Sequence, residues 1–341
     1  MNTRYTNQNI YWLTYGGAHG KRMAEQASVA GGTDASSFTS TVHIEQNVKY
    51  VSTLPMAEGY DHWYDNQIIV AANATGGRNY PFQVVNPASG SYSATLEVTL
   101  GALVAGAHHL RLYVGQVGNL RQVLDTSAWY DKTMFHTTVS FPQSYLVAGA
   151  NLVRVEIINE RTDAAEIVHP DWLEIGYQRA FTATNDYLAF GGDQAGAWRF
   201  TLDGFSTTAV DIYDVTDGVN IKRIATTATT SELPASSPAA AVTFGANQTG
   251  PRRYVALTAA QRKAPLAIQA AQPADNLIQT TNRADYLIIF HPDFLAALDP
   301  LTDDPARHIV AFRSFQTITF LVKRAPFNPA EIAQVLDATQ R

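Results

Sequence analysis

The sequence predicts a mainly β protein in four parts: a jelly-roll-like β-sandwich over residues 1–181, a smaller β-sandwich unit over 185–260, a linker over 261–281, and an incomplete α/β segment over 282–341. Three observations lead there. Short runs across the first half alternate strictly between apolar and polar residues, the period of a half-buried strand. Glycine, asparagine and proline turn signals separate those runs at short spacing. Near the end, Tyr286 to Phe290 is an unbroken apolar run followed at once by a helix-like pattern, as in a strand covered on both faces.

In the first part the strand-like runs are His43–Glu45, Lys49–Val51, Ala94–Leu100, Leu110–Val114 and Val153–Ile157. Gly76-Gly77, Asn86-Pro87, Ser89-Gly90, Gly101, Gly106, Gly115, Gly118-Asn119 and Gly149 read as turns between them. Many short strands with such turns predict two packed sheets, with Trp12, Trp63, Trp129 and Trp172 as core or inter-sheet residues. In the second part Trp198–Leu202 and Val210–Val215 are strand-like, and Thr216-Asp217-Gly218 is a turn. Val242–Phe244 and Tyr254–Leu257 suggest a hairpin across Gly250-Pro251, and Thr226–Ala240 reads as a mobile surface loop. A unit this small is expected to lean on its neighbours.

In the last part, Pro292 suits a first helical position, Asp293 an acidic first turn, and Phe294, Leu295 and Leu298 one apolar face. His308–Phe312 and Thr317–Val322 can form strands, and Asn328-Pro329-Ala330-Glu331 opens a final helix with Ile332, Val335 and Leu336 on one side. About sixty residues cannot cover both faces of a doubly wound sheet, so this part is expected to be incomplete, with Tyr286–Phe290 in a parallel sheet.

Composition excludes several functions. A net charge of -6 and a pI near 5.8 over 341 residues give no basic footprint, so nucleic acid is not an expected partner. Cysteine is absent, which removes disulfides, zinc–thiolate sites and any thiol nucleophile. Met1 to Gln8 is polar and lacks a leader's basic and apolar regions, and no apolar run approaches a membrane-spanning length.

No G-x-S-x-G or H-E-x-x-H pattern occurs. His108 and His109 are adjacent, so in a strand their rings point to opposite faces and cannot share a metal. His62, near Asp61, Asp65, Trp63 and Tyr64, is either part of a small polar site or a loop residue among inward-packed aromatics. Asp211, Asp214, Asp217 and Asn220 around Gly218 fit an irregular calcium loop or an ordinary turn, and miss the EF-hand spacing. Tyr60–Tyr64 offers aromatic surface for a sugar ring or for a core. His291, at the end of a predicted strand, reads as a turn or helix-cap residue with no nucleophile to serve. No residue is assigned a catalytic, cofactor or metal role, and no cofactor is expected.

Three phrases carry a resemblance: ADYLIIFHPDFLAAL (Ala284–Leu298), NIYWLTYGGAHGKRM (Asn9–Met23) and PDWLEIGYQRAF (Pro170–Phe181). The first resembles the opening of the caspase-like domain of gingipain-type cysteine peptidases. The other two resemble the start and the closing strand of the β-rich region that precedes it. Where that family carries an acidic strand end, this chain has Ala311-Phe312-Arg313-Ser314-Phe315-Gln316, a departure. The resemblance implies a non-catalytic N-terminal or accessory region and a truncated peptidase domain of a secreted endopeptidase whose parent uses a Cys-His pair. The partners implied are the missing C-terminal peptidase domain and the parent's protein or peptide substrates, outside the cell or on its surface, with the chain a fragment that is inactive alone. The competing expectation is a jelly-roll carbohydrate-binding or adhesin surface module without peptidase activity.

Overall fold

The computed structural model describes residues 20–54, 62–225, 240–269, 309–313 and 318–322, together with Tyr11, Leu13, Gly16 and Gly17. In chain order the strands begin with β1 (Ala24–Ala27), β2 (Thr33–Asp34), β3 (Phe38–Glu45), β4 (Lys49–Tyr50), β5 (Trp63–Tyr64), β6 (Ile68–Val70) and β7 (Ala74–Val84). They continue with β8 (Ser93–Ala102), β9 (Ala107–Gln116), β10 (Asn119–Tyr130), β11 (Met134–Pro142), β12 (Gly149–Asn159) and β13 (Glu166–Arg179). Then come β14 (Tyr187–Gly192), β15 (Gly196–Phe205), β16 (Val210–Asp214), β17 (Lys222–Ala225), β18 (Ala240–Gln248) and β19 (Arg252–Thr258), within a unit that ends at Ala264. A second unit, Pro265–Arg341, contains β20 (Ile309–Arg313) and β21 (Ile318–Val322).

Two sheets, ordered β7-β12-β9-β10 and β3-β13-β8-β11, enclose one apolar core, with β6 added beside β13. The pairings nest from outside inward: β3 with β13, β7 with β12, β8 with β11, β9 with β10, all antiparallel. A chain doubled into one long hairpin and then rolled gives this pairing, which is the jelly roll. Alternation builds it: Leu96, Val98 and Leu100, then Leu110, Leu112 and Val114, then Val153, Val155 and Ile157 point inward and are fully buried.

Several turn assignments give way to strands. Gly76 and Gly77 lie inside β7, Gly101 inside β8 and Gly115 inside β9, and Gly149 opens β12. Gly77 and Gly101 show why. A Cβ on Gly77 would sit 2.4 Å from the Val155 carbonyl oxygen, and one on Gly101 would sit 3.0 Å from Leu54 Cδ1. These glycines permit close approach inside the sandwich; they do not reverse the chain. The tryptophans also divide. Trp129 is core, Trp63 is exposed, Trp172 lies half-buried on the outer face, and Trp12 falls outside the described residues.

The second sandwich consists of the sheets β1-β17-β16-β19-β14 and β18-β15-β2. Its first two strands come from the span assigned by sequence to the jelly roll: β1 runs parallel to β17, with Ala24 opposite Lys222, and β2 runs parallel to β15, with Thr33 opposite Trp198. Strands of two to four residues are too short to show alternation, and a parallel partner about 200 residues away leaves no turn signal. The hairpin across Gly250-Pro251 does not form either. β18 pairs with β15 in one sheet and β19 with β14 and β16 in the other. The connection passes from one sheet to the other, so Phe244 and Tyr254 meet from opposite sheets, ring centroids 5.4 Å apart.

That core is aromatic. Phe190 contacts the rings of Phe38 at 6.1 Å, Phe181 at 5.4 Å, Phe200 at 5.8 Å, Phe244 at 6.3 Å and Tyr254 at 5.3 Å. Phe38 opens jelly-roll strand β3 but packs into this second core, and Arg179, its register partner at the end of β13, lies over its ring at 5.7 Å. The sandwiches therefore join where the jelly roll begins and ends.

In the second unit, β20 and β21 are antiparallel, with Ile309 opposite Val322. The predicted strand Tyr286–Phe290, His291, both predicted C-terminal helices, and the Thr226–Ala240 loop up to its last residue lie outside the described residues. Among the described residues helix is limited to two three-residue 3-10 turns, Gln143–Tyr145 and Ala259–Gln261. None there is long and apolar enough to cross a membrane.

Candidate functional site

Strand β13 organises the polar chemistry of the jelly roll because its register slips between Pro170 and Trp172 against β8. Pro170 has no N–H to give the ladder, and the bulge absorbs that loss. The slip inverts the strand's phase. Glu166 and Val168 are inward before it, while Leu173, Ile175 and Tyr177 are inward after it. Trp172 is thereby turned to the outer face, between His43 at 5.6 Å and His136 at 5.7 Å. His43 pairs with Glu45 and His136 with Glu97, both at 3.1 Å, so imidazole–carboxylate pairs flank the indole across the sheet.

His108 and His109 point to opposite faces. His108 is buried; its Nε2 lies 2.9 Å from the Asp131 carbonyl oxygen and its Nδ1 lies 2.9 Å from Glu166 Oε1. The Trp129 ring closes over it at 4.7 Å. Since β9 and β13 belong to different sheets, this pair ties the two layers together. His109 is on the surface, with Nε2 at 2.6 Å from Asp125 and Nδ1 at 3.1 Å from Glu160. Its pKa is raised, chiefly by the Asp125 hydrogen bond, against the opposing effect of burial.

His169 is fully buried against Tyr64, their rings 5.7 Å apart edge to face. Among the described residues neither ring nitrogen has a hydrogen-bond partner. Burial, and then the nearby Lys49 charge, lower its pKa from 6.5 to about 4. The unfolded chain therefore binds the proton first as pH falls, and stability is complete above pH 6.5 and lost on the way down to about 4. With the Lys49 contribution discounted for screening, the loss is roughly 2–3 kcal/mol. His169→Leu is expected to flatten this slope, read as urea midpoints at pH 7, 5.5 and 4.5. An unchanged slope in the variant would assign the acid lability elsewhere. His109 acts with the opposite sign, and the difference between the two proteins removes it.

His62 does not assemble with Asp65. Its Nδ1 lies 3.2 Å from the Val51 carbonyl oxygen, while Asp65 is buried against Arg78 Nε at 2.9 Å; Asp61 falls outside the described residues. The neighbouring aromatics split by strand alternation along β5. Tyr64 is fully buried in a small core with Val51 and Leu54. Trp63 is 41% exposed and meets the 46% exposed Tyr50 edge to face at 5.4 Å, with His62 5.3 Å from Tyr50 on the same short hairpin. This is a paired aromatic platform facing solvent, and it joins two segments the sequence does not connect.

The aspartates around Gly218 do not form a calcium loop. Asp211 accepts hydrogen bonds from Arg223 at 2.9 Å and Arg262 at 3.1 Å. Burial would raise its pKa, but these two guanidinium hydrogen bonds outweigh it and hold the carboxylate below its usual range. Asp214 faces Arg252 at 3.3 Å and accepts the Thr216 N–H at 3.0 Å. Asp217 accepts the Val219 and Asn220 N–H groups, an ordinary Asx turn. Guanidinium groups and backbone donors occupy the oxygens a cation would need. Among the described residues no group of three or more His, Asp or Glu is placed to hold a metal ion.

An eight-stranded jelly roll carrying a second β-sandwich is thus the class of protein the described residues define. No protein-family model matches the chain, and no curated protein matches it. Among solved structures it is similar to dimeric latent PorU from Porphyromonas gingivalis, at 13% identity and a TM-score of 0.49, over 72% of this chain and 22% of that one. It is also similar to the infectious bursal disease virus Gt strain, at 8% identity and a TM-score of 0.18, over 61% and 45% of the two chains. The chain thus spans about a fifth (22%) of the length of the PorU chain.

Proposed function

We propose that this chain is the non-catalytic N-terminal accessory region, with the beginning of the peptidase domain, of a secreted gingipain-type cysteine endopeptidase. The observation that carries the reading is the set of three family-like phrases on a chain without a cysteine. One of them, Pro170–Phe181, runs through the pivotal strand β13. The chemistry of the sandwiches agrees: His108, Glu166, Asp65 and Asp211 are spent on holding strands and layers together. The β-units act by binding the peptidase domain and holding it latent, outside the cell.

The test adds the purified chain to a gingipain-type peptidase domain that has its own Cys and His. Alone, the chain is expected to cleave no fluorogenic peptide and to leave a thiol-directed probe unreacted. In trans it is expected to bind the domain and lower its turnover. Cleavage by the chain itself, surviving mock-purification controls, would overturn the reading, as would a domain whose turnover is indifferent to it.

The Tyr50–Trp63 platform favours a second reading, a glycan-binding surface module, because paired exposed aromatics stack on sugar rings. Trp63→Ala is expected to abolish saturable glycan binding in calorimetry, whereas Tyr64→Ala would only damage a core. A flat response across a glycan array removes this alternative.

A further inference from the structure

The parallel pairing of β1 with β17 brings the residues just before β1 against the β16–β17 turn, from some 200 positions away in sequence. Between them lies a cleft of about 800 Å³, within the size range of small-molecule sites. Four cations line it, Lys21, Arg22, Lys222 and Arg252, against two acids, Asp214 and Asp217.

The two acids are already engaged. Asp217 is turned into its own Asx turn, and Asp214 faces Arg252 at 3.3 Å. Lys21 donates to the Val219 carbonyl at 3.4 Å and to the Asn220 side-chain oxygen, both uncharged acceptors. Arg22 and Lys222 have no ion pair among the described residues. A chain of net charge -6 thus gathers a surplus of positive charge in one concavity, where the field of like charges favours an anion. Apart from Asn220, the rest of the wall is apolar: Met23, Ala24, Val219 and Ile221, with Met23 52% and Val219 81% exposed.

We propose that this cleft binds an amphipathic anion, a carboxylate or phosphate head carried on an alkyl chain. The head sits between Arg22 and Lys222, and the alkyl chain covers Met23, Val219 and Ile221. Sequence alone hides the site because its two cationic edges, Lys21-Arg22 and Lys222, meet only through the β1–β17 pairing.

Calorimetry on the full chain, with decanoate and decyl phosphate below their micellar concentrations, tests it. Saturable binding that weakens with added salt is expected, reduced at least about tenfold in the Arg22→Gln/Lys222→Gln double variant. Arg121→Gln, on the exposed face of β10, should bind as the parent does. Because Arg22 and Lys222 make no ion pair among the described residues, the double variant should keep the parent's urea midpoint, so lost binding cannot be lost fold. No saturation, undiminished binding by the double variant, equal binding of decyl maltoside, or equally tight binding of inorganic phosphate alone would each overturn the proposal.

Discussion

Phe190→Ala is expected to destabilise the second sandwich by about 3–5 kcal/mol, the range for removing a buried phenylalanine where the surroundings cannot collapse. Phe190 stands at the centre of five aromatic rings drawn from both sheets and from the mouth of the jelly roll. Rings held by so many neighbours relax little into the space left behind. Trp198, packed against this core, and Trp129, inside the other, supply separate fluorescence signals when each is retained alone in a variant with the other four tryptophans replaced by phenylalanine. The Trp198 transition should move to lower urea while the Trp129 transition holds nearer its original midpoint. A loss below about 1 kcal/mol would mean that the ring cluster contributes no more than a surface contact.

Glu166→Ala should cost a similar amount for a different reason. Both His108 nitrogens are engaged, Nε2 with the Asp131 carbonyl and Nδ1 with the Glu166 carboxyl group. Deleting the carboxyl leaves a buried imidazole nitrogen without its partner, and breaking a buried pair in this way costs about 3–5 kcal/mol. Glu166→Gln keeps a hydrogen-bonding group opposite Nδ1, its amide N–H able to donate to that nitrogen while Nε2 donates to the Asp131 carbonyl, and should lose less than the alanine variant. Urea unfolding at pH 7 measures both. Equal losses in the two variants would show that packing volume, not the hydrogen bond, sets the value of this contact.

Much of the jelly roll was legible in the sequence because β8, β9 and β12 bury one face each, and Leu96, Leu110, Val153 and their i+2 neighbours record that directly. Strand β7 was not, since Gly76 and Gly77 read locally as a turn and reveal their packing role only against Val70 and Val155. The platform escaped for a related reason. Trp63 and Tyr64 are neighbours with opposite fates, and which of them faces out depends on the register of β5 against β4. Evenly spaced Asp211, Asp214 and Asp217 suggested a cation loop because spacing carries no information about the arginines that fold back onto them, Arg252 and Arg262 above all. The cationic cleft depends on a parallel pairing with no local signature at all.

That same pairing makes the second sandwich a discontinuous domain, interrupted after β2 and resumed at β14. Closing an unstructured loop of the intervening length costs on the order of 4 kcal/mol in chain entropy, before any contact of the outer domain is made. The jelly roll removes that cost when it folds, because its first and last strands are register partners: Phe38 stands opposite Arg179. Once the inner domain is formed, its two ends leave side by side, and the outer domain meets β2 and β14 as if a tight turn joined them. Assembly is thereby ordered from the inside out, and β1 and β2, made before the jelly roll, wait for β17 and β15, made after it, before they have partners.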